Sequence, residues 1–320
     1  MFGTSGVRGG LDELPPERYV DLGRAVGDVY PEVVVGRDAR LTGEAVSNAL
    51  HAGLTSAGCR VVDVGRAPTH LVAYAARERK VAGVVVTASH NPPEYNGVKL
   101  FEADGAEASE EREQEVVDAL DGAAVEWRDW ASRERAGVLD GYVDDALDYL
   151  GSWTTGDLDV EVAVDVGNGV AGRTTVPLLR ALGADVVPVN AQEDGRFPSR
   201  PSEPRSEVVG DYVEFVKESG VDIGFAHDGD GDRLVVVDDG GVVSEDGVVA
   251  VLARETLESS SSDVVVTTPN TSRVVDRYVE NAGGVVERVP LGGLAPAVRE
   301  QAPAFAAEPW KPVFPDWGPW

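Results

Sequence analysis

Residues 81–99 read VAGVVVTASHNPPEYNGVK, an unbroken apolar run that opens into a loop carrying Ser89, His90 and Lys99. A β-branched run without alternation reads as a strand buried on both faces, the habit of parallel sheets. Asn91-Pro92-Pro93 then stops regular structure, and Asn96-Gly97 turns the chain again. Ligands of open α/β sheets gather beyond the carboxyl ends of strands, so Ser89 stands where chemistry is expected. Further strands are predicted over residues 33–38, 59–65, 160–167, 184–190, 221–229, 233–240, 263–270 and 284–290, with helices between them over 42–57, 173–182, 206–219 and 271–281. Strands alternating with helices predict an α/β fold with mixed, mostly parallel sheets.

The pattern repeats. TSAGCRVVDVG, RALGADVVPVN and ENAGGVVERVP each close a helix on a glycine (Gly58, Gly183, Gly283) and start a valine-rich strand. Glycine suits that place because it takes the left-handed conformation that stops a helix. The spacing predicts three consecutive similar α/β domains over residues 1–132, 133–240 and 241–320. The polar stretch 126–141, which holds Trp127 and Trp130, shows no strand character and carries the first division.

The 320 residues hold 56 acidic against 28 basic side chains, a formal net charge of −28. Such a surface repels nucleic acid and anionic membranes, and it suits a protein from very salty cytosol, where charges are screened within about 3 Å at 1 M salt. Lysine is scarce: Lys80, Lys99, Lys217 and Lys311 are the only four. No apolar run reaches a membrane span of about 18 residues, and the start carries no basic flank or apolar segment of a signal peptide. Cys59 is the sole cysteine, which fits a reducing cytoplasm.

Asp228-Gly229-Asp230-Gly231-Asp232-Arg233 places three carboxylates at alternate positions just past a strand. The glycines let the backbone curl, and all-oxygen donors suit Mg2+ or Ca2+. An EF-hand loop starting at Asp228 would need Gly and Glu where Arg233 and Asp239 stand, and a helix rather than VDIGFAH before it. Near the start, Thr4, Ser5 and Arg8 in FGTSGVRGG combine small hydroxyls, glycines and one guanidinium, a phosphate-binding mixture. Residues 167–172, GNGVAG, match the dinucleotide pattern GxGxxG, but the next strand ends on Asn190 where a ribose-binding acid belongs. A nicotinamide-dependent dehydrogenase is the reading that this motif alone would support. A Ser89–His90 nucleophile and base pair is disfavoured, since neighbours in extended chain point to opposite sides. A phosphoryl group on Ser89 beside three aspartates and one divalent cation would still leave excess negative charge, which Arg8, Lys99 and Arg233 can balance.

FGTSGVRG, TASHNPPEYNGVK and DGDGDR, in this order and spacing, resemble the α-D-phosphohexomutase family, which includes phosphoglucomutase, phosphomannomutase and phosphoglucosamine mutase. The resemblance implies domains around a central cleft. It implies that Ser89 carries the phosphoryl group, with Asp228, Asp230, Asp232 and a Ser89 oxygen holding Mg2+. Arg8 and Lys99 would face the phosphoryl group, with Lys99 as proton donor or acceptor; His90, in the same loop as Ser89, would also be catalytic, and Thr4, Ser5 and Arg233 would contact substrate. It also implies interconversion of hexose 1- and 6-phosphates of glucose, mannose or glucosamine through a bisphosphorylated sugar, in the cytoplasm, with small sugar phosphates as partners. The family's sugar-selecting loop resembles GEESG; here Ala307-Glu308-Pro309-Trp310-Lys311 stands in its place, leaving Glu308 as the sugar-binding glutamate. The family has a fourth, phosphate-gripping domain, and this sequence stops at Trp320 without it, which admits a second reading: a weakened paralogue that binds sugar phosphates without turnover.

Overall fold

The computed structural model describes residues 6–120, 122, 124–151, 153 and 158–318. The first unit runs β1 (Val7–Gly10), α1 (Pro16–Val29), β2 (Glu32–Arg37), α2 (Gly43–Ser56), β3 (Arg60–Arg66), α3 (Thr69–Arg79), β4 (Ala82–Val86), β5 (Tyr95–Phe101), α4 (Glu110–Asp118) and β6 (Arg133–Arg135). The second holds α5 (Leu139–Leu150), β7 (Glu161–Asp165), α6 (Thr175–Ala181), β8 (Asp185–Val189), α7 (Gly210–Ser219), β9 (Ile223–His227), β10 (Leu234–Asp238) and β11 (Gly241–Val242). The third holds α8 (Glu245–Ser259), β12 (Val264–Thr267), α9 (Arg273–Asn281), β13 (Val285–Arg288), α10 (Leu294–Gln301), β14 (Phe305–Glu308) and β15 (Lys311–Val313).

One strand plan occurs three times. The sheets contain the runs β3-β2-β4-β5, β8-β7-β9-β10 and β13-β12-β14-β15. In each run the first three strands are parallel and the fourth returns antiparallel. Gly58, Gly183 and Gly283 precede the corresponding strands β3, β8 and β13 with φ of 82°, 90° and 85°, the left-handed helix stop that the sequence predicts. Beyond the repeat, the first sheet adds β1 beside β5 and β6 beside β3, and the second adds β11 beside β10.

Burial follows position in the sheet. The central strands β2 and β4 are almost wholly buried, and Val33, Val35, Val84 and Val86 pack against α1 and α2 while Val34 and Val85 face α3 and α5 on the other side. The strands β8 and β13 are largely exposed and β10 alternates, so continuous burial does not extend to them. The stretch 126–141 does hold a strand, β6, whose Arg-Glu-Arg sequence is fully exposed. It joins the edge of the first sheet, with Arg133 paired to Asp63. Among the described residues, no helix is long and apolar enough to cross a membrane.

Candidate active site: three equivalent turns

In each unit the turn between the third and fourth strand of the shared plan carries residues of interest. These turns are 87–94 between β4 and β5, 228–233 between β9 and β10, and 309–310 between β14 and β15. Each contains one residue with a left-handed backbone: Ser89 at φ 50°, Gly231 at 73° and Trp310 at 63°. For a non-glycine residue that conformation costs on the order of 1–3 kcal/mol and persists only where surroundings enforce it.

For Ser89 the enforcing group is Arg40. Its side chain is fully buried and donates to the backbone carbonyls of Ser89 at 2.8 Å, Asn91 at 2.7 Å, Tyr95 at 2.9 Å and also Pro92. Asp38 balances the buried charge at 3.0 Å and also accepts from Thr87 Oγ1 at 2.7 Å. Thr87 Oγ1 in turn accepts from the Ser89 N–H at 2.8 Å. The left-handed backbone overturns the extended-chain premise about His90: its Nδ1 lies 3.5 Å from Ser89 Oγ, on the same side. Burial first, then the Arg233 charge, lowers the His90 pKa to about 4, so the ring is neutral near pH 7.

The Ser89 hydroxyl reaches across to the second unit and donates to Asp228 Oδ2 at 3.0 Å. One oxygen from each of Asp228, Asp230 and Asp232 lies within 4.8 Å of the others. Lys99 Nζ, buried on β5, donates to Asp230 at 2.8 Å and Asp232 at 2.6 Å. Burial raises the Asp228 pKa well above the carboxylate range, and its two acidic neighbours add to this. Burial opposes the charge on Asp232 too, but Lys99 and Lys311 outweigh it and hold the pKa low. Burial likewise opposes the charged form of Lys99, yet Asp230 and Asp232 overcome it and raise the pKa. Asp230 Oδ1 and Asp232 Oδ1 are buried without a hydrogen-bond partner. Orphaned buried carboxylate oxygens are costly, and a hard cation is the partner that such a donor set fits.

The metal loop is held from both units. Thr69 donates from its N–H to Asp230 O at 2.9 Å and from its hydroxyl to Asp230 Oδ2 at 2.8 Å. His70 Nδ1 lies 3.2 Å from Gly231 O, and His227 Nδ1 lies 2.9 Å from Arg233 O. Ser202 ties the two loops together: its hydroxyl donates to Ser89 O at 3.0 Å and accepts from Gly229 N–H at 3.0 Å. A second buried pair, Arg200 with Asp165, props the strand before the loop through His227 O at 2.7 Å. This pair also explains GNGVAG. A Cβ on Gly167 would sit 2.6 Å from the Arg200 guanidinium, and one on Gly169 2.6 Å from Gly229 O. These close contacts account for Gly167 and Gly169 as packing positions without any need for a dinucleotide.

The remaining expected residues lie around this centre. Arg8 is on β1, opposite Gly97 of β5, and its buried Nε has no hydrogen-bond partner among the described residues. Arg233 pairs with Glu203 at 2.5 Å. Glu308 ends β14 and lines a cavity of about 230 Å³ together with Asp232, Arg233, Glu107 and Lys311. Thr4 and Ser5 lie outside the described residues. Local sequence reading passed over Asp38, Arg40, Thr69, His70, Arg200 and Ser202. The one available signal was the cluster of charges Arg37-Asp38-Ala39-Arg40 directly after a buried valine strand.

A family model described as phosphoglucomutase/phosphomannomutase alpha/beta/alpha domain I matches residues 1–125, and its domain II counterpart matches 140–241. A "Phosphopentomutase" of Thermococcus kodakarensis is 39% identical over 326 residues, covering 100% of this chain and 72% of that protein. The chain belongs to the phosphoglucomutase/phosphomannomutase family. A "Probable phosphoglucosamine mutase" of Methanopyrus kandleri is also 39% identical, over 96% of this chain and 70% of its own length. A solved family protein from Burkholderia thailandensis superposes with a TM-score of 0.87 at 30% identity, covering 99% of this chain and 73% of that one. The relatives are named as mutases, which are isomerases, and this chain is an enzyme of that class. Their names divide between pentose and hexosamine substrates at equal identity.

Proposed function

We propose that the chain is a Mg2+-dependent phosphosugar mutase working through a phosphoserine at Ser89. The observation that supports this most is the 3.0 Å hydrogen bond from Ser89 Oγ to Asp228, which joins the hydroxyl to the acidic triad across two units. Asp228, Asp230 and Asp232 would hold Mg2+ with an oxygen of the phosphorylated serine. When bound, the cation supplies charge neutralisation that makes the serine a better leaving group. The bond from phosphorus to Ser89 Oγ breaks as one forms to a sugar hydroxyl, giving a bisphosphorylated sugar. The other phosphoryl group then returns to Ser89 and restores the enzyme. The incoming hydroxyl must lose a proton and Ser89 must gain one. Neutral His90, 3.5 Å from Ser89 Oγ, supports a part in that exchange. Lys99, kept charged by two carboxylates, supports an electrostatic or proton-donating part rather than that of a resting base. Arg8, with its buried Nε, and Arg233 would balance phosphate charge, and Glu308 would meet the sugar.

The expected result is that purified protein treated with glucose 1,6-bisphosphate gains the mass of one phosphoryl group at Ser89, and that Ser89→Ala neither gains that mass nor turns over substrate. The assay spans 1-phosphates of glucose, mannose, glucosamine and ribose, because relatives of equal identity carry different substrate names. Undiminished turnover by Ser89→Ala would exclude the phosphoserine route.

A further inference from the structure

Only four lysines occur in the chain, and Lys80 and Lys217 are exposed. The other two converge on one carboxylate from different units: Lys99 Nζ lies 2.6 Å and Lys311 Nζ 4.0 Å from Asp232 Oδ2. In a chain with 56 acidic residues, an ammonium is not placed there to raise solubility. Lys311 opens β15, directly after left-handed Trp310, in the turn equivalent to the serine and metal loops. That turn is also fixed to the second unit, since Leu234 N–H donates to Trp310 O at 2.9 Å. Lys311 lines the cavity shared by Asp232, Arg233 and Glu308, and its resting partner is Glu107 Oε1 at 2.6 Å, on the first unit.

Charge counting says what the ammonium is for. Lys99 is committed to Asp230 and Asp232, and Arg233 to Glu203. A phosphomonoester brings about −1.5 to −2 charges into the cavity, and Lys311 is the lysine that lines it, bonded first to Glu107 at 2.6 Å and only loosely to Asp232 at 4.0 Å. From this geometry we propose that Lys311 is a substrate-binding residue that leaves Glu107 to take a phosphate oxygen of the sugar phosphate, so that the third unit's turn answers the phosphoryl group as well as the sugar. The inference rests on the mutase reading above.

Calorimetric titration of the full chain, in Mg2+, with inorganic phosphate and with glucose 1-phosphate tests this. One charge-assisted hydrogen bond corresponds to roughly 10- to 100-fold in affinity. Lys311→Met is expected to weaken both ligands by that factor, Lys311→Arg to keep most of the affinity, and Glu107→Gln, which frees the ammonium, to bind at least as tightly as the parent. Equal weakening by Glu107→Gln and Lys311→Met would make the pair a latch between units and overturn the proposal. Loss for glucose 1-phosphate with inorganic phosphate unchanged would place Lys311 on the sugar and also overturn it. Thermal melts of each variant show whether it is folded, and Lys311→Arg retains the charge if Lys311→Met is not. A parent chain that binds neither ligand would instead count against the mutase reading itself.

Discussion

The serine loop and the metal loop occupy the same place in the same strand plan, yet they are held by different chemistry. Arg40, from the serine loop's own unit, holds that loop through four carbonyls. The metal loop depends on two neutral histidines and on Thr69, which belongs to the neighbouring unit. The main clamp on the serine loop comes from its own unit, with Ser202 reaching in from the second, whereas the metal loop is shared more evenly between two units. The third turn also takes contacts from both other units, Lys311 to Glu107 and Leu234 N–H to Trp310 O, while Arg299 of α10 pairs with Asp104 of the first unit.

The largest expected break in this comparison is Arg40→Met. It strands buried Asp38 and four carbonyls, and removing one partner of a buried ion pair costs about 3–5 kcal/mol. Denaturant unfolding should show a loss of that size, with phosphorylation of Ser89 abolished while the metal loop keeps its fold. A loss under 1 kcal/mol would mean that the loop does not depend on Arg40.

Acid should act on both loops, because His90 on the serine loop and His70 against the metal loop are both pushed down to about 4 by burial. Burial first, then the nearby His227, lowers the His70 pKa from 6.5 to about 4. Between those values the unfolded chain binds a proton that the folded chain refuses, so stability rises with pH there. His70's contribution is complete above pH 6.5 and is lost as pH falls from about 6.5 to about 4. Melting temperatures at pH 7.5 and 5 should differ, and His70→Asn should narrow the gap. An unchanged gap would remove His70 from the account.

Arg299→Ala should have the smallest effect. Its pair with Asp104 is exposed, so about 0–1 kcal/mol is at stake, and molar salt should erase it. A larger, salt-resistant loss would show that this contact between units is more than a screened surface pair.

What could be read in the sequence follows the same division. Long valine runs announce buried parallel strands, and alternate aspartates announce their cluster, because both signals lie within a few neighbouring residues. The return strand β5 hid inside YNGVKLF, and β14 and β15 are only four and three residues long, too short for a period to show. Arg40 acts on carbonyls about 50 residues away and Ser202 on Ser89 across 113, distances at which no local pattern carries information. The Ser89–His90 relation has no local signature, because nothing in the sequence marks Ser89 as left-handed.

The account stands on Ser89 and the three aspartates sharing one phosphoryl group and one cation. Mn2+ bound in place of Mg2+ to the Ser89-phosphorylated chain offers the most direct measurement, since its paramagnetic resonance registers a phosphorus nucleus one oxygen away. Hyperfine coupling to phosphorus should appear, and should vanish in Ser89→Ala; tightly bound Mn2+ with a phosphorylated Ser89 and no coupling would contradict the shared site.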